Sequence, residues 1–148
     1  EVRLKSAYII KATKVEKDEN DEITTIYATY DEDSKSGSGT EASMRKVKGT
    51  LHWVSAQHAL PIEVRVYDRL FTHEQPDAEK ETDFMEFVNK DSLKLIQGFA
   101  EPSLKNAKVE DHYQFQRIGY FTLDKDSTDD KLVFNRTVTL KDSFKLEQ

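Results

Sequence analysis

The sequence predicts an antiparallel all-β fold, a sandwich or a barrel. Three observations carry that expectation. Seven stretches alternate apolar with polar residues and are rich in β-branched and aromatic side chains. Only two short stretches, 83–88 and 103–107, have the pattern of a single helical turn. The segments between strands are polar and turn-like, as in chains of short antiparallel strands.

The elements follow in order. In 2–13, Val2 and Leu4 alternate with Arg3 and Lys5, so a strand places the two apolar residues on one face and the two cations on the other. Lys17-Asp18-Glu19-Asn20-Asp21 is a polar cluster suited to a hairpin loop, and 22–30 is its return strand. Residues 34–43 are rich in Ser and Gly and are expected to be a mobile loop. Next comes a cationic cluster, Arg45, Lys46 and Lys48, beside an expected strand over 46–54 that carries His52 and Trp53 as packing residues. Strands are expected at 62–70 and 93–101, separated by a long acidic loop over 72–83. In the first of these, Arg65 and Arg69 are expected to pair with Glu63 and Asp68. Residues 113–123 read as one aromatic strand whose only formal charge is Arg117. Residues 133–141 are the seventh strand, with Asn135-Arg136 placed at the end of a hairpin.

Composition narrows the function. The chain has 148 residues, enough for one ordinary domain or two very small ones. Hydrophobic residues make up 36% and charged residues 34%, so the core is modest and leans on eight Phe, six Tyr and one Trp. No apolar run approaches the ~20 residues of a membrane-spanning helix. With no cysteine, disulfides, thiolate zinc sites and a Cys nucleophile are excluded. The net charge of −6 argues against indiscriminate nucleic-acid binding but allows a locally basic face. Phosphate-binding Gly-rich loops, a nucleophile elbow and HExxH are all missing from the sequence. Asp31-Glu32-Asp33 opens like a calcium loop, but Lys35 and Ser36 occupy positions where a ligand and a glycine are needed. In Tyr113-Gln114-Phe115-Gln116-Arg117-Ile118-Gly119-Tyr120-Phe121, amides are interleaved with rings in a way that suits unpaired bases, though composition alone favours an ordinary amphipathic strand with Phe115 and Phe121 in the core.

Five stretches carry a likeness to a known family. They are 45–56 with Thr50-Leu51-His52-Trp53-Val54-Ser55, 63–71 with Tyr67-Asp68-Arg69-Leu70-Phe71, Gln97-Gly98-Phe99-Ala100-Glu101-Pro102-Ser103-Leu104, Gln114-Phe115-Gln116-Arg117-Ile118-Gly119-Tyr120-Phe121, and Val133-Phe134-Asn135-Arg136-Thr137-Val138-Thr139-Leu140. In order and spacing they resemble the C-terminal anticodon-binding region of bacterial, class I glutaminyl-tRNA synthetases. The resemblance implies two small antiparallel β-barrels like that of a ribosomal 5S rRNA-binding protein. It assigns 1–54 plus 133–148 to the first barrel and 55–132 to the second. It also implies strands upstream of Glu1, so the first barrel is expected to be incomplete here. The chain does not begin with Met, in keeping with a piece of a longer protein.

The same resemblance implies a function and its residues. The expected partner is tRNA(Gln), with a catalytic domain N-terminal to this region that uses ATP and Mg²⁺ to attach glutamine. No cofactor is expected in this part, which is expected to be non-catalytic, monomeric and cytoplasmic. Arg3 and Lys5 match cations that attend the first anticodon base and its phosphate. Lys5 stands where bacterial relatives often carry Arg, which favours a phosphate contact over a forked base contact. Gln114 and Arg117 match the pair that reads the invariant middle U. A glutamine amide has both a donor and an acceptor, and so meets the N3–H and O4 of uracil together. On a flat strand Gln114 and Arg117 fall on opposite faces, so a bulge or twisted edge is expected to re-aim one of them. Lys141 matches a basic position near the RNA, and third-base contacts are expected upstream of Glu1. The alternatives are the archaeal and eukaryotic type of glutamyl-tRNA synthetase, and a stand-alone rRNA-binding barrel.

Overall fold

A computed structural model describes residues 1–78 and 80–140. The chain divides into two compact units, Glu1–Trp53 and Val54–Gln148.

The first unit is a four-stranded sheet. Strand β1 is Val2–Leu4, β2 is Ile9–Lys17, β3 is Ile23–Asp31 and β4 is Thr50–Leu51. Their order is β3-β2-β1-β4. The expected strand over 2–13 is broken by a tight turn at 5–7, where Ser6 takes a left-handed φ of 57° and the Ala7 N–H returns to the Leu4 carbonyl at 3.0 Å. The β2–β3 hairpin closes as its sequence predicts: the Asp18 carboxylate accepts the N–H groups of Asn20 and Glu22 at 2.8 and 3.0 Å. Against expectation, β1 and β4 run parallel, with Arg3 opposite Thr50. The serine-rich loop is also more ordered than its composition suggests. It holds a 3₁₀ turn, Glu32–Ser34, capped by Asp31, and a one-turn helix α1, Glu41–Met44, capped by Thr40. Ser34 is wholly buried, and its Oγ accepts the Ile9 N–H at 2.7 Å while donating to the Asp31 carbonyl at 2.6 Å.

The second unit is a five-stranded sheet. Strand β5 is Leu60–Tyr67, β6 is Leu93–Ala100, β7 is His112–Phe115, β8 is Gly119–Leu123 and β9 is Leu132–Thr139. The order is β6-β5-β9-β8-β7, with β5 and β9 parallel. Both single helical turns are present as 3₁₀ turns, Phe84–Phe87 and Pro102–Asn106. Ile62, Ala100, Phe121, Leu123 and Phe134 form the core, with Tyr113, Phe115 and Leu104 packed against it.

Two expectations change. The sequence reading assigns 133–148 to the first unit, but β9 lies between β5 and β8 in the second sheet. The physical reason is burial: Phe134 is 0% exposed within that sheet's core and cannot leave it without opening a cavity, and its neighbour Val133 is buried too. Residues 141–148, Lys141 among them, lie outside the described residues. The fold is all-β as expected, but among the described residues neither ladder returns to its first strand, so the architecture is two sheets and closure into barrels is not observed.

Candidate nucleic-acid interface

The first candidate surface lies along β1 and β4. Arg3 sits in the middle of β1, and its backbone N–H donates to the Gly49 carbonyl at 2.9 Å. Its guanidinium is engaged within the chain. Nη1 donates to the Ser34 carbonyl at 3.0 Å and to Ser36 Oγ at 3.2 Å, and Nη2 donates to the carbonyls of Ser43 and Arg45 at 2.8 and 3.2 Å. A guanidinium has five N–H donors in a fixed fork, and four of them are accounted for by these bonds. Arg3 therefore ties the 34–45 loop to β1. Its charge meets neutral oxygens only, so a positive potential remains there without free Nη donors to read a base.

Lys5 follows in the turn and is exposed. Its N–H donates to the Leu51 carbonyl at 2.9 Å, and its own carbonyl accepts the Trp53 Nε1–H at 3.1 Å. Among the described residues the ammonium groups of Lys5, Lys46 and Lys48 have no ion-pair partner, whereas Arg45 is held by Glu1 and, at 3.0 Å, by Asp31. Those carboxylates, Glu1 first, push the Arg45 guanidinium further above its ordinary value. Lys5, Lys46 and Lys48 therefore add to the positive potential left at Arg3, and Arg45 contributes little to it. Trp53, expected among the packing residues, is 42% exposed.

The second candidate surface is the β7–β8 hairpin. Residues 113–123 are two strands joined by a turn at 116–118, with the Ile118 N–H on the Phe115 carbonyl at 2.9 Å. Strand β7 is the edge of its sheet. Phe115 stacks on Phe121 with centroids 4.3 Å apart, and Tyr113 meets Phe134 edge-on at 5.9 Å. Between these inward rings, Gln114 faces outward, opposite Tyr120. Arg117 is not on a strand. It is the third residue of the four-residue turn, exposed, with a left-handed φ of 64°. Arg117 is thus carried by a turn, where a bulge or twisted edge was expected. A bulge does occur nearby, between Tyr120 and Phe121 in the β8–β9 ladder. Gln114 and Arg117 share one hairpin, and among the described residues neither side chain has a hydrogen-bond or ion-pair partner. The base of the hairpin is pinned: the Asp111 carboxylate accepts the Lys108 N–H at 2.9 Å and the Tyr113 hydroxyl at 3.1 Å. Those bonds hold the Asp111 carboxyl below its usual range, the Lys108 N–H contributing most.

Two other residues singled out from sequence, Arg65 and Asn135, have partners within the chain. Arg65 pairs with Glu63 at 3.2 Å as expected, and also with Asp126 at 2.8 Å and Asp124 at 3.6 Å. Asp68 accepts the backbone N–H of Arg69 at 2.7 Å. Asn135 and Arg136 lie within β9 and do not end a hairpin; the Asn135 amide donates to Asp124. Sequence reasoning missed the role of Arg3 as a loop anchor. Its signal was the serine-rich segment, whose carbonyls need a donor.

Residues 50–124 match the family described as tRNA synthetases class I (E and Q), anti-codon binding domain. The chain is 56% identical over 144 residues to a glutamine–tRNA ligase of Proteus mirabilis, covering 97% of this chain and 25% of that protein. Glutamine–tRNA ligases of Cronobacter sakazakii and Vibrio parahaemolyticus are each 56% identical over 145 residues, again 97% of this chain and 25% of theirs. The chain thus spans about a quarter of the length of the curated relatives it matches. With an all-β fold, an outward Gln114 and Arg117 on one hairpin, and this likeness along nearly its whole length, the chain belongs to the anticodon-binding domain family of the class I tRNA synthetases for glutamate and glutamine.

Proposed function

We propose that this chain reads the anticodon of tRNA(Gln), CUG or UUG, on behalf of a glutamine–tRNA ligase. The observation that carries the reading is that Gln114 and Arg117, both exposed and without a partner among the described residues, lie on one pinned hairpin in a chain 56% identical to glutamine–tRNA ligases. The Gln114 amide would satisfy the N3–H and O4 of the middle U, and Arg117 would add a charged donor beside it. Lys5 would hold a phosphate at the first base, with Arg3 supporting the loop and the local potential, and Lys141 would extend the basic surface. The ligase activity, with its ATP and Mg²⁺, would reside in a catalytic domain of the same protein, acting as a monomer in the cytoplasm. Among the described residues no helix is long and apolar enough to cross a membrane. The glutamate alternative shares the family, but the relatives at 56% identity are all named for glutamine.

The test is a binding titration with two anticodon stem-loops, one with the middle U and one with C in its place. C presents an amino donor where O4 was and lacks N3–H, so the native chain should prefer U by about 1–3 kcal/mol. Gln114→Ala and Arg117→Ala should remove most of that preference. Equal loss of affinity for both RNAs would make these residues structural and overturn the assignment.

A further inference from the structure

We propose that the Trp53 indole is a stacking platform for one unpaired base of the RNA, placed next to a phosphate held by the Lys5 ammonium. The inference rests on the anticodon-binding reading above and adds a second base site to it, in the first unit. Four observations carry it. Trp53 is 42% exposed, although it is the largest side chain in the unit. Its one polar atom is already turned to the protein, because Nε1–H donates to the Lys5 carbonyl at 3.1 Å. What meets water is therefore hydrocarbon, and the ring is fixed in orientation before any ligand arrives. Among the described residues it stacks on no aromatic ring and carries no cation. The charge an RNA backbone needs lies next to it: Lys5, whose carbonyl holds the indole, is exposed and has no ion-pair partner among the described residues. A rigid exposed ring beside an unpaired lysine is the combination that captures single-stranded nucleic acid, since every base has a face to stack and a phosphate to neutralise. An acidic peptide would use the lysine but gain little from the indole, so unpaired RNA is the better match.

The experiment uses the fact that Trp53 is the only tryptophan in the chain. Its emission is followed while the protein is titrated with a CUG anticodon stem-loop, or with the same strand fully paired to its complement. The expected result is quenching by the loop and none by the duplex. Trp53→Phe should keep the affinity for the loop within about threefold, because a phenyl ring also stacks. Trp53→Ala should weaken it roughly 5- to 150-fold. Lys5→Ala should weaken loop and duplex alike while leaving the quench at saturation. Loop binding that discriminates the middle base without any quench would overturn the platform and leave the anticodon reading standing. Quenching by loop and duplex alike would overturn it too. Failure to bind any loop would overturn both. If Trp53→Ala does not fold, the quench and Trp53→Phe decide.

Discussion

Arg117 shows how a single residue can carry a structural cost for a ligand. A non-glycine residue at φ 64° is held in a region that costs an L-residue about 1 kcal/mol or more. Nothing among the described residues compensates it, since its guanidinium has no partner there. Arg117→Gly should therefore raise stability by about 1 kcal/mol, read from the urea midpoint, while weakening binding to the middle-U stem-loop. A fall in the midpoint would show that the arginine side chain supports the hairpin. Asp124 makes a second case. Its carboxylate accepts the Asp126 N–H at 2.8 Å and the Asn135 amide, and these bonds, the backbone one first, hold it below the usual range. A depressed folded value means the stabilisation is present above the ordinary carboxylate range and is lost as pH falls through that range toward the folded value. Between pH 7 and about pH 5 the contribution should be flat, and below that the urea midpoint should fall. Asp124→Asn should make the acid limb shallower, and an acid limb parallel to the native one would remove Asp124 from it. At this scale the sequence disclosed residue types well and their commitments poorly. Gln114 and Arg117 were legible as an amide and a cation among rings. That Arg3 is consumed by four loop oxygens was not, because those oxygens are brought together from residues 34 to 45 by the fold.

Strand positions were largely legible, and the breaks within them were not. Period-two alternation marks β3, β5, β6 and β9 to within a few residues. The two missed turns both use left-handed backbone at residues that do not advertise it, Ser6 and Arg117, where glycine or asparagine would have been a signal. The parallel pairings were invisible for a different reason: register between distant strands is set by burial in three dimensions and leaves no local pattern. The β7–β8 hairpin depends on one close approach. A Cβ at Gly119 would sit 2.8 Å from the Val138 carbonyl oxygen, and backbone cannot yield as a side-chain tip can. Gly119→Ala should thus cost about 1–3 kcal/mol and shift the hairpin relative to β9. An unchanged urea midpoint would mean that the β8–β9 ladder is loose enough to absorb a methyl group.

The two units differ in how much they bury. In the first, Ala7, Ile9 and Ser34 are the buried residues, and both faces of much of the β2–β3 hairpin are exposed. In the second, three stacked or edge-on rings join a continuous apolar cluster. Stability should follow burial. Hydrogen exchange read peptide by peptide in rising urea should show residues 1–53 losing protection before β8 and β9, and simultaneous loss would mean that the chain unfolds as one cooperative body. The position of β9 reaches further, into how the protein is made. Strands β5 and β6 can pair as soon as both exist, and so can β7 and β8, but each hairpin has its own apolar face and no direct pairing with the other. Only residues 132–139 join them, opposite Ile62 on one side and Phe121 on the other. During synthesis the two hairpins can become one sheet only after this keystone strand leaves the ribosome, so a ribosome stalled before that point leaves their unpaired edges open to whatever chaperone is at hand.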